Sequence, residues 1–245
     1  MRMMLCGLVV LPLSAAAGQP DRPEDLVKYA VAAAGGPEVL KKYPAGRVVG
    51  KGTMTFAGVE TPLTFEQLYH VPGRFRTAVR CEVRGQKWEL VQVVDGATAR
   101  QTVNGRAVAL NEPGLRDLQL AVLLNEVSQL TPLLADRRFA LKPDKARKGE
   151  AVAGVVVQVK GYPELRLGFG RKELHLVSLA YRDVDPDTAK DVETEVAFSD
   201  FRTVSDLTRP FRSVVTRGGR VVADLTTEKF TALEKIDPKA FTTEN

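Results

Sequence analysis

The amino-acid sequence predicts a mainly antiparallel β fold with a few helices, and three observations support this prediction. Segments rich in β-branched and aromatic residues recur along the chain, separated by turn signals such as Pro72-Gly73 and Asp95-Gly96. The segment from Phe75 to Arg84 alternates apolar and charged residues, as a strand with one solvated face does. A single long helical stretch interrupts the series. Large antiparallel sheets that curl can hold an apolar ligand, so the pattern favours binding over catalysis.

The first residues have the features of a secretory signal peptide. Arg2 supplies a positive charge, residues 5–13 supply an apolar stretch, and Ala15-Ala16-Ala17 offers a cleavage site. The apolar stretch is too short to span a bilayer, and it lacks the amphipathic spacing of the alternative, a buried N-terminal helix. We therefore expect residues 1–18 to be the signal and residues 19–245 to form one domain. We also expect a periplasmic or secreted protein.

Composition sets limits on the class of protein. The chain has 245 residues, of which 44% are hydrophobic and 27% charged, so it can bury a sizeable core. The net charge of +5 is small and spread along the chain, so a nucleic-acid partner is not expected. Cys6 lies within the predicted signal, which leaves Cys81 as the one cysteine of the mature chain. No internal disulfide can then form, and we interpret Cys81 as a buried hydrophobic residue.

The first half of the mature chain predicts helices followed by a meander. Residues 24–43 show helical spacing, which Gly35-Gly36-Pro37 breaks, so we expect two short helices. Each strand that follows is separated from the next by a turn signal. The expected strands are 47–57, 61–71, 74–84, 87–95, 98–103 and 106–110.

The stretch from Leu115 to Ala135 is the one long helical segment, and Pro132 is expected to kink or split it. Two interpretations of this helix remain open: it packs on the sheet, or it plugs or covers a cavity. The basic residues 142–149 are interpreted as a solvated linker.

A second series of strands follows the linker and ends the predicted fold. Its members are expected at 150–160, 164–170, 174–183, 190–201, 209–217 and 220–229. No low-complexity tract separates the two series. We therefore expect one sheet with an inserted helix.

The strand from Phe75 to Arg84 provides the sharpest prediction of side-chain placement. Its apolar residues, including Phe75 and Val79, are expected to be buried, and its charged residues, including Arg76 and Arg80, to be exposed. A solvated face is the simplest interpretation of these arginines. The alternative is a surface for an acidic partner or for anionic lipid headgroups.

The sequence contains no recognisable catalytic motif. His70 and His175 are the only histidines and lie in no ligand pattern, so we expect no metal and no cofactor. Asp183, Asp185 and Asp187 alternate like calcium ligands but lack the rest of an EF-hand loop, which favours a solvated turn. Because no nucleophile and base are paired, we expect a protein that is not an enzyme. A hydrolase of lipids is the catalytic alternative.

The order of several short motifs provides a family resemblance. Tyr69-His70-Val71-Pro72-Gly73-Arg74-Phe75-Arg76 is followed by Val93-Val94-Asp95-Gly96, then by the leucine-rich helix. Phe198-Ser199-Asp200-Phe201-Arg202 and Ile236-Asp237-Pro238-Lys239-Ala240-Phe241 come last. From Glu24 to Phe241 the chain resembles the LolA/LolB-like outer-membrane lipoprotein-sorting superfamily, as a divergent bacterial member. In that family's periplasmic chaperone an arginine precedes the proline and helps to hold the lid closed, whereas this chain has Val71.

The resemblance implies an α+β, mainly β fold: an unclosed antiparallel β-barrel, one strongly curved sheet with helices covering its open side. It also implies a monomeric carrier of lipid or of lipoprotein acyl chains that needs no cofactor, with a membrane surface or a protein as a further partner. A non-catalytic structural or sensor module with a filled core is the alternative. The residues expected to line a hydrophobic ligand cavity are Phe56, Phe65, Tyr69, Phe75, Trp88, Leu123 and Val127.

Overall fold

A computed structural model describes residues 22–56, 58–145, 152–185 and 190–243. The predicted signal peptide, residues 1–18, lies outside these ranges. Four helices are present in the described part of the chain: α1 (Pro23–Ala33), α2 (Pro37–Lys42), α3 (Glu112–Ser128) and α4 (Pro132–Ala135). A 3₁₀ turn at Pro238–Ala240 follows the last strand. No helix among these residues has the length and apolar character needed to cross a membrane.

The strands of the described residues form a single open antiparallel sheet. Those of the first series are β1 (Ala45–Phe56), β2 (Val59–His70), β3 (Arg74–Val83), β4 (Gln86–Asp95), β5 (Thr98–Val103) and β6 (Arg106–Ala107). Those of the second are β7 (Ala140–Pro143), β8 (Val152–Gln158), β9 (Leu165–Gly170), β10 (Leu176–Val184), β11 (Asp191–Val204), β12 (Leu207–Arg217) and β13 (Arg220–Leu233). The predicted fold class, an unclosed, mainly β sheet with few helices, is confirmed.

Two meanders make up this sheet, and a single long-range pairing joins them. The strand order is β6-β5-β4-β3-β2-β1-β13-β12-β11-β10-β9-β8-β7. Every pairing between consecutive strands is a local hairpin step, whereas β1 pairs with β13 across most of the chain, from Ala45 opposite Leu233 to Met54 opposite Ala223. The sheet is therefore continuous only because the first and last strands meet.

The main hydrophobic core lies between one face of the sheet and the helices. α1 buries Leu26, Val27, Ala30 and Val31, a stripe at helical spacing that packs against the strands. Alternate residues of β9, including Leu165 and Phe169, are fully buried in the same core. The helices thus cover one face of the sheet.

The leucine-rich stretch is split, as predicted at Pro132. α3 begins at Glu112, where the Asn111 side chain accepts a hydrogen bond from the Gly114 N–H at 2.9 Å, and it ends at Ser128. Leu130 takes a left-handed conformation with φ of 64°, and α4 begins at Pro132. A proline lacks the N–H that a continuous helix needs, so the chain turns before it resumes.

A second, smaller core lies on the other face of the sheet, and it overturns one prediction. Arg76, expected to be exposed, is buried, and its Nε donates to the carbonyl oxygen of Thr242 at 3.0 Å. Phe75 is buried and Arg80 exposed, so the strand register is as expected, whereas Val79, expected to be buried, is only half-buried. The outer face of β3 is covered at Arg76, where the prediction had left it exposed to solvent. A C-terminal cover, residues 236–242, lies there, and its members Ile236, Ala240 and Phe241 pack on Leu68, Ala78, Val91 and Val93.

Several smaller expectations are also corrected. Cys81, expected to be buried, is only partly buried, because its end of β3 lies opposite the exposed Trp88. The expected strand 106–110 is reduced to Arg106–Ala107. The expected linker 142–149 begins with the end of β7, while its residues 146–149 lie outside the described ranges. Asp183, expected in a turn, belongs to β10.

Candidate functional site

A cavity of about 180 Å³ lies between the sheet and the helices. Its walls come from α1, from the end of α3 and from strands β1, β2, β10, β11, β12 and β13. Much of the wall is apolar, and its largest apolar side chains are Tyr69, Leu130, Leu176, Phe198, Phe201 and Phe230. The cavity therefore spans the junction at which the two meanders meet.

A polar group of three side chains lies at one side of the cavity. A terminal nitrogen of Arg209 donates to Oε1 of Gln129 at 2.7 Å. Gln129 and the charge of Arg209 also act on the buried phenol of Tyr69. Burial raises the pKa of Tyr69, and both neighbours oppose that rise. These contacts join the end of α3 to strands β2 and β12.

Arg209 is unusual among the arginines of the described chain. Its Nε is buried and has no hydrogen-bond partner there. Arg212, on the same strand, has its charge matched by Asp224, with nitrogen–oxygen distances of 3.0 and 2.8 Å. No carboxylate of the described residues forms an ion pair with Arg209, and no acidic residue lines the cavity. The cavity wall therefore carries an unmatched positive charge.

His175 contributes to the wall through its ring. The imidazole stacks on Phe201 with ring centroids 4.5 Å apart and an interplanar angle of 24°. Its Nδ1 lies 3.5 Å from Oε2 of the exposed Glu173 and makes no hydrogen bond within the described part of the chain. The described residues also contain no group of three or more His, Cys, Asp or Glu side chains able to hold a metal.

A buried carboxylate ties α3 to the sheet beside this region. Glu126 is 3% exposed; its Oε1 accepts from the backbone N–H of Gly73 at 2.8 Å, and its Oε2 accepts from Arg138 at 3.0 Å. We call this contact the Glu126 latch. The turn after Val71 and Pro72 is thus held from the helix side. The sequence signal that could have indicated this contact is the position of Glu126, at helical spacing from the buried Leu123 and Leu130.

The predicted lining residues fall into three groups. Tyr69 lines the cavity. Phe65, Phe75, Leu123 and Val127 are buried but lie in the packed core rather than in the cavity wall. Phe56 is half-buried and Trp88 is 43% exposed, and the two line, with Val59, a separate pocket of about 660 Å³. The prediction did not include Arg209, Phe198 or Phe230, which lie on strands of the second meander.

Removal of the Glu126 latch is expected to destabilise the fold. Glu126→Ala leaves the Gly73 N–H without its acceptor, which should lower the free energy of unfolding by about 1–3 kcal/mol. Glu112→Ala is the matched control, because its carboxylate is 82% exposed on the same helix. Urea unfolding of both variants measures the difference. Equal losses would contradict a stabilising role for the latch.

Comparison with known proteins identifies the fold. Neither protein-family models nor curated proteins match the sequence. A LolA superfamily protein from Nitrosomonas europaea superposes with a TM-score of 0.55 at 12% identity, covering 87% of this chain and 97% of that chain. The chain has a LolA-like fold. The predicted resemblance is thus confirmed for the architecture.

Two further solved structures share the LolA-like fold. A candidate outer membrane lipoprotein-sorting protein domain from Vibrio parahaemolyticus has a TM-score of 0.53 at 9% identity, covering 89% of this chain and 95% of that chain. A DUF1329 family protein from Desulfovibrio piger has a TM-score of 0.50 at 9% identity, covering 91% of this chain and 98% of that chain. At these identities the comparison concerns the LolA-like fold alone.

Proposed function

We propose that this protein is a non-enzymatic binding protein for lipid acyl chains, and that the cavity between sheet and helices is where the chain is held. The observation that supports the proposal most directly is a largely apolar cavity inside a LolA-like fold. One of the similar structures is named for lipoprotein sorting, which agrees with an acyl-chain ligand. Carriage of a lipoprotein is the more specific form of the proposal.

The size of the cavity determines how much of a ligand fits. A volume of about 180 Å³ is close to that of an engineered cavity of about 150 Å³ that binds benzene, and below the roughly 300–1,000 Å³ of most ligand pockets. The conformation described here therefore accommodates only part of a long acyl chain. Full capture requires the helices to move away from the sheet, and the Glu126 latch and the Tyr69–Gln129–Arg209 contacts oppose that movement.

The energetics allow such an opening. Each buried methylene contributes about 0.8 kcal/mol, so about ten methylenes contribute roughly 8 kcal/mol before any cost is subtracted. Breaking the Glu126 latch costs about 1–3 kcal/mol by comparison. Burial of an acyl chain can therefore offset the loss of the Glu126 latch, and the chain would replace part of the apolar contacts that Leu123 and Val127 lose when the helices move.

The remaining parts of the proposal concern where the protein acts. We place a monomeric mature chain, residues 19–245 as one domain, in the periplasm or outside the cell. The charge, length and small residues of segment 1–18 support export. Lipid acyl chains are the proposed ligand, and a membrane surface or a protein that donates or accepts the lipid is the proposed partner.

Filling the cavity should abolish binding. Wild-type protein is expected to bind a fluorescent twelve-carbon acyl probe, and Ser213→Phe, which adds a ring to the cavity wall, should weaken binding at least about tenfold. Ser199→Phe is the matched control, since Ser199 is exposed on the neighbouring strand β11 and outside the cavity. Fluorescence titration measures both. Absence of probe binding to the wild type would favour the structural or sensor module.

A further inference from the structure

We infer that the cavity selects amphiphiles with one acyl chain and an anionic headgroup, and that Arg209 binds that headgroup. This rests on the proposed function and names the ligand class for the same cavity. The headgroup chemistry is a carboxylate or a phosphate oxyanion, and the hydrocarbon lies along the aromatic wall.

The hydrogen bonds of Arg209 are incomplete in the described part of the chain. A guanidinium carries five N–H donors in a rigid fork. One terminal nitrogen is occupied by Gln129, while Nε is buried and has no acceptor in the described part of the chain. A buried N–H without an acceptor is costly, and such groups are rare in folded proteins. Because Arg209 lines the cavity, an oxyanion that enters it would accept charge-assisted hydrogen bonds from the guanidinium.

Among the described residues, the cavity wall contains basic side chains and no acidic ones. The wall includes Arg209, Arg212 and His175 and no aspartate or glutamate. Asp224 matches the charge of Arg212, but no described carboxylate matches Arg209. Two other arginines near the helices and turns have a carboxylate partner: Arg74 pairs with Asp95, and Arg138 pairs with Glu126. Arg209 is thus a positive charge in the wall of a cavity that has no described acidic side chain to balance it.

Polar and apolar side chains form different parts of the cavity wall. The polar side consists of Arg209, Gln129 and Tyr69, and the hydrocarbon side includes Phe198 and Phe230. A ligand with one charged end and one chain matches both sides at once. In this conformation the cavity of about 180 Å³ accommodates part of one chain beside the polar side chains.

Matched twelve-carbon probes test the inference. Dodecanoate, dodecyl phosphate and dodecanol share a chain length and differ in the headgroup, and each would compete with the fluorescent acyl probe at pH 8. Wild-type protein is expected to bind at least one of the two anions roughly 10- to 100-fold more tightly than dodecanol. The ratio between the two anions distinguishes a fatty-acid headgroup from a phosphate headgroup.

Variants of Arg209 assign the effect to this side chain. Arg209→Met should remove the preference for anions while dodecanol binds within about threefold of wild type. If Arg209→Met does not fold, Arg209→Gln is measured in its place, because glutamine keeps a hydrogen-bond donor. Arg100→Met is the control, because it removes the same charge from an exposed position on β5 outside the cavity. Melting temperatures of all variants are compared with wild type.

The outcomes separate the inference from the function on which it rests. Equal binding of dodecanol and of both anions to the wild type overturns the inference but leaves acyl-chain binding intact. A folded Arg209 variant that keeps the full anion preference also overturns it. If wild type binds none of the three probes, the proposed function itself fails. Loss of the preference in Arg209→Met, with the preference kept in Arg100→Met, supports the assignment.

Discussion

Replacing Phe241 with alanine is expected to lower the free energy of unfolding by about 3–5 kcal/mol, one of the largest effects that a single substitution should have in this protein. Phe241 is 3% exposed although it lies only four residues from the end of the chain. Its ring packs with Leu68, Ala78 and Val91 in the smaller core on the outer face of the sheet. Truncation leaves a cavity there and removes the main anchor of the C-terminal cover. Urea unfolding measures the loss.

A matched aromatic residue provides the control for this prediction. Tyr29 on α1 is 53% exposed, so Tyr29→Ala should cost well under half as much as Phe241→Ala. Phe241→Leu keeps most of the apolar volume and should recover much of the loss. If Phe241→Ala and Tyr29→Ala lower stability equally, the C-terminal cover is not packed as described.

Local chemistry explains why the strands could be predicted. Asn104-Gly105 takes left-handed φ values of 49° and 76°, as a tight hairpin requires, and this dipeptide is among the strongest short-range signals of a turn. The interruption at Pro132 likewise follows from a missing N–H donor. Each of these features depends on neighbours a few residues away, so a single sequence contains the necessary information.

The burial of Arg76 could not be predicted in this way. Alternation along β3 shows that two faces exist, and Phe75 and Arg76 are indeed on opposite faces. It does not show what covers each face. The cover comes from residues 236–242, and the Thr242 carbonyl that accepts from Arg76 lies 166 positions away. Only the folded chain brings these groups together.

The candidate site was partly predictable for the same reason. Strand register places Phe56 and Trp88 on the same face as Tyr69, as the alternation indicated. Trp88 is nevertheless exposed, because the helices that cover that face do not extend to the end of the sheet where Trp88 lies. Arg209 and Phe230 reach the cavity through the β1–β13 pairing, which no local pattern specifies.

The Gly50→Ala substitution at that junction is expected to cost about 3 kcal/mol or more, because a methyl group has no space on either side. A Cβ on Gly50 would lie 2.3 Å from the Thr226 carbonyl oxygen of β13 and 2.5 Å from the Phe65 ring. These close contacts are relieved only if the backbone of β13 shifts, at the point where its register with β1 already changes. Gly170→Ala is the control, since its Cβ would meet only Val177 at 3.4 Å. Thermal and urea unfolding compare the two, and equal stability of both variants would show that β1 and β13 do not approach this closely.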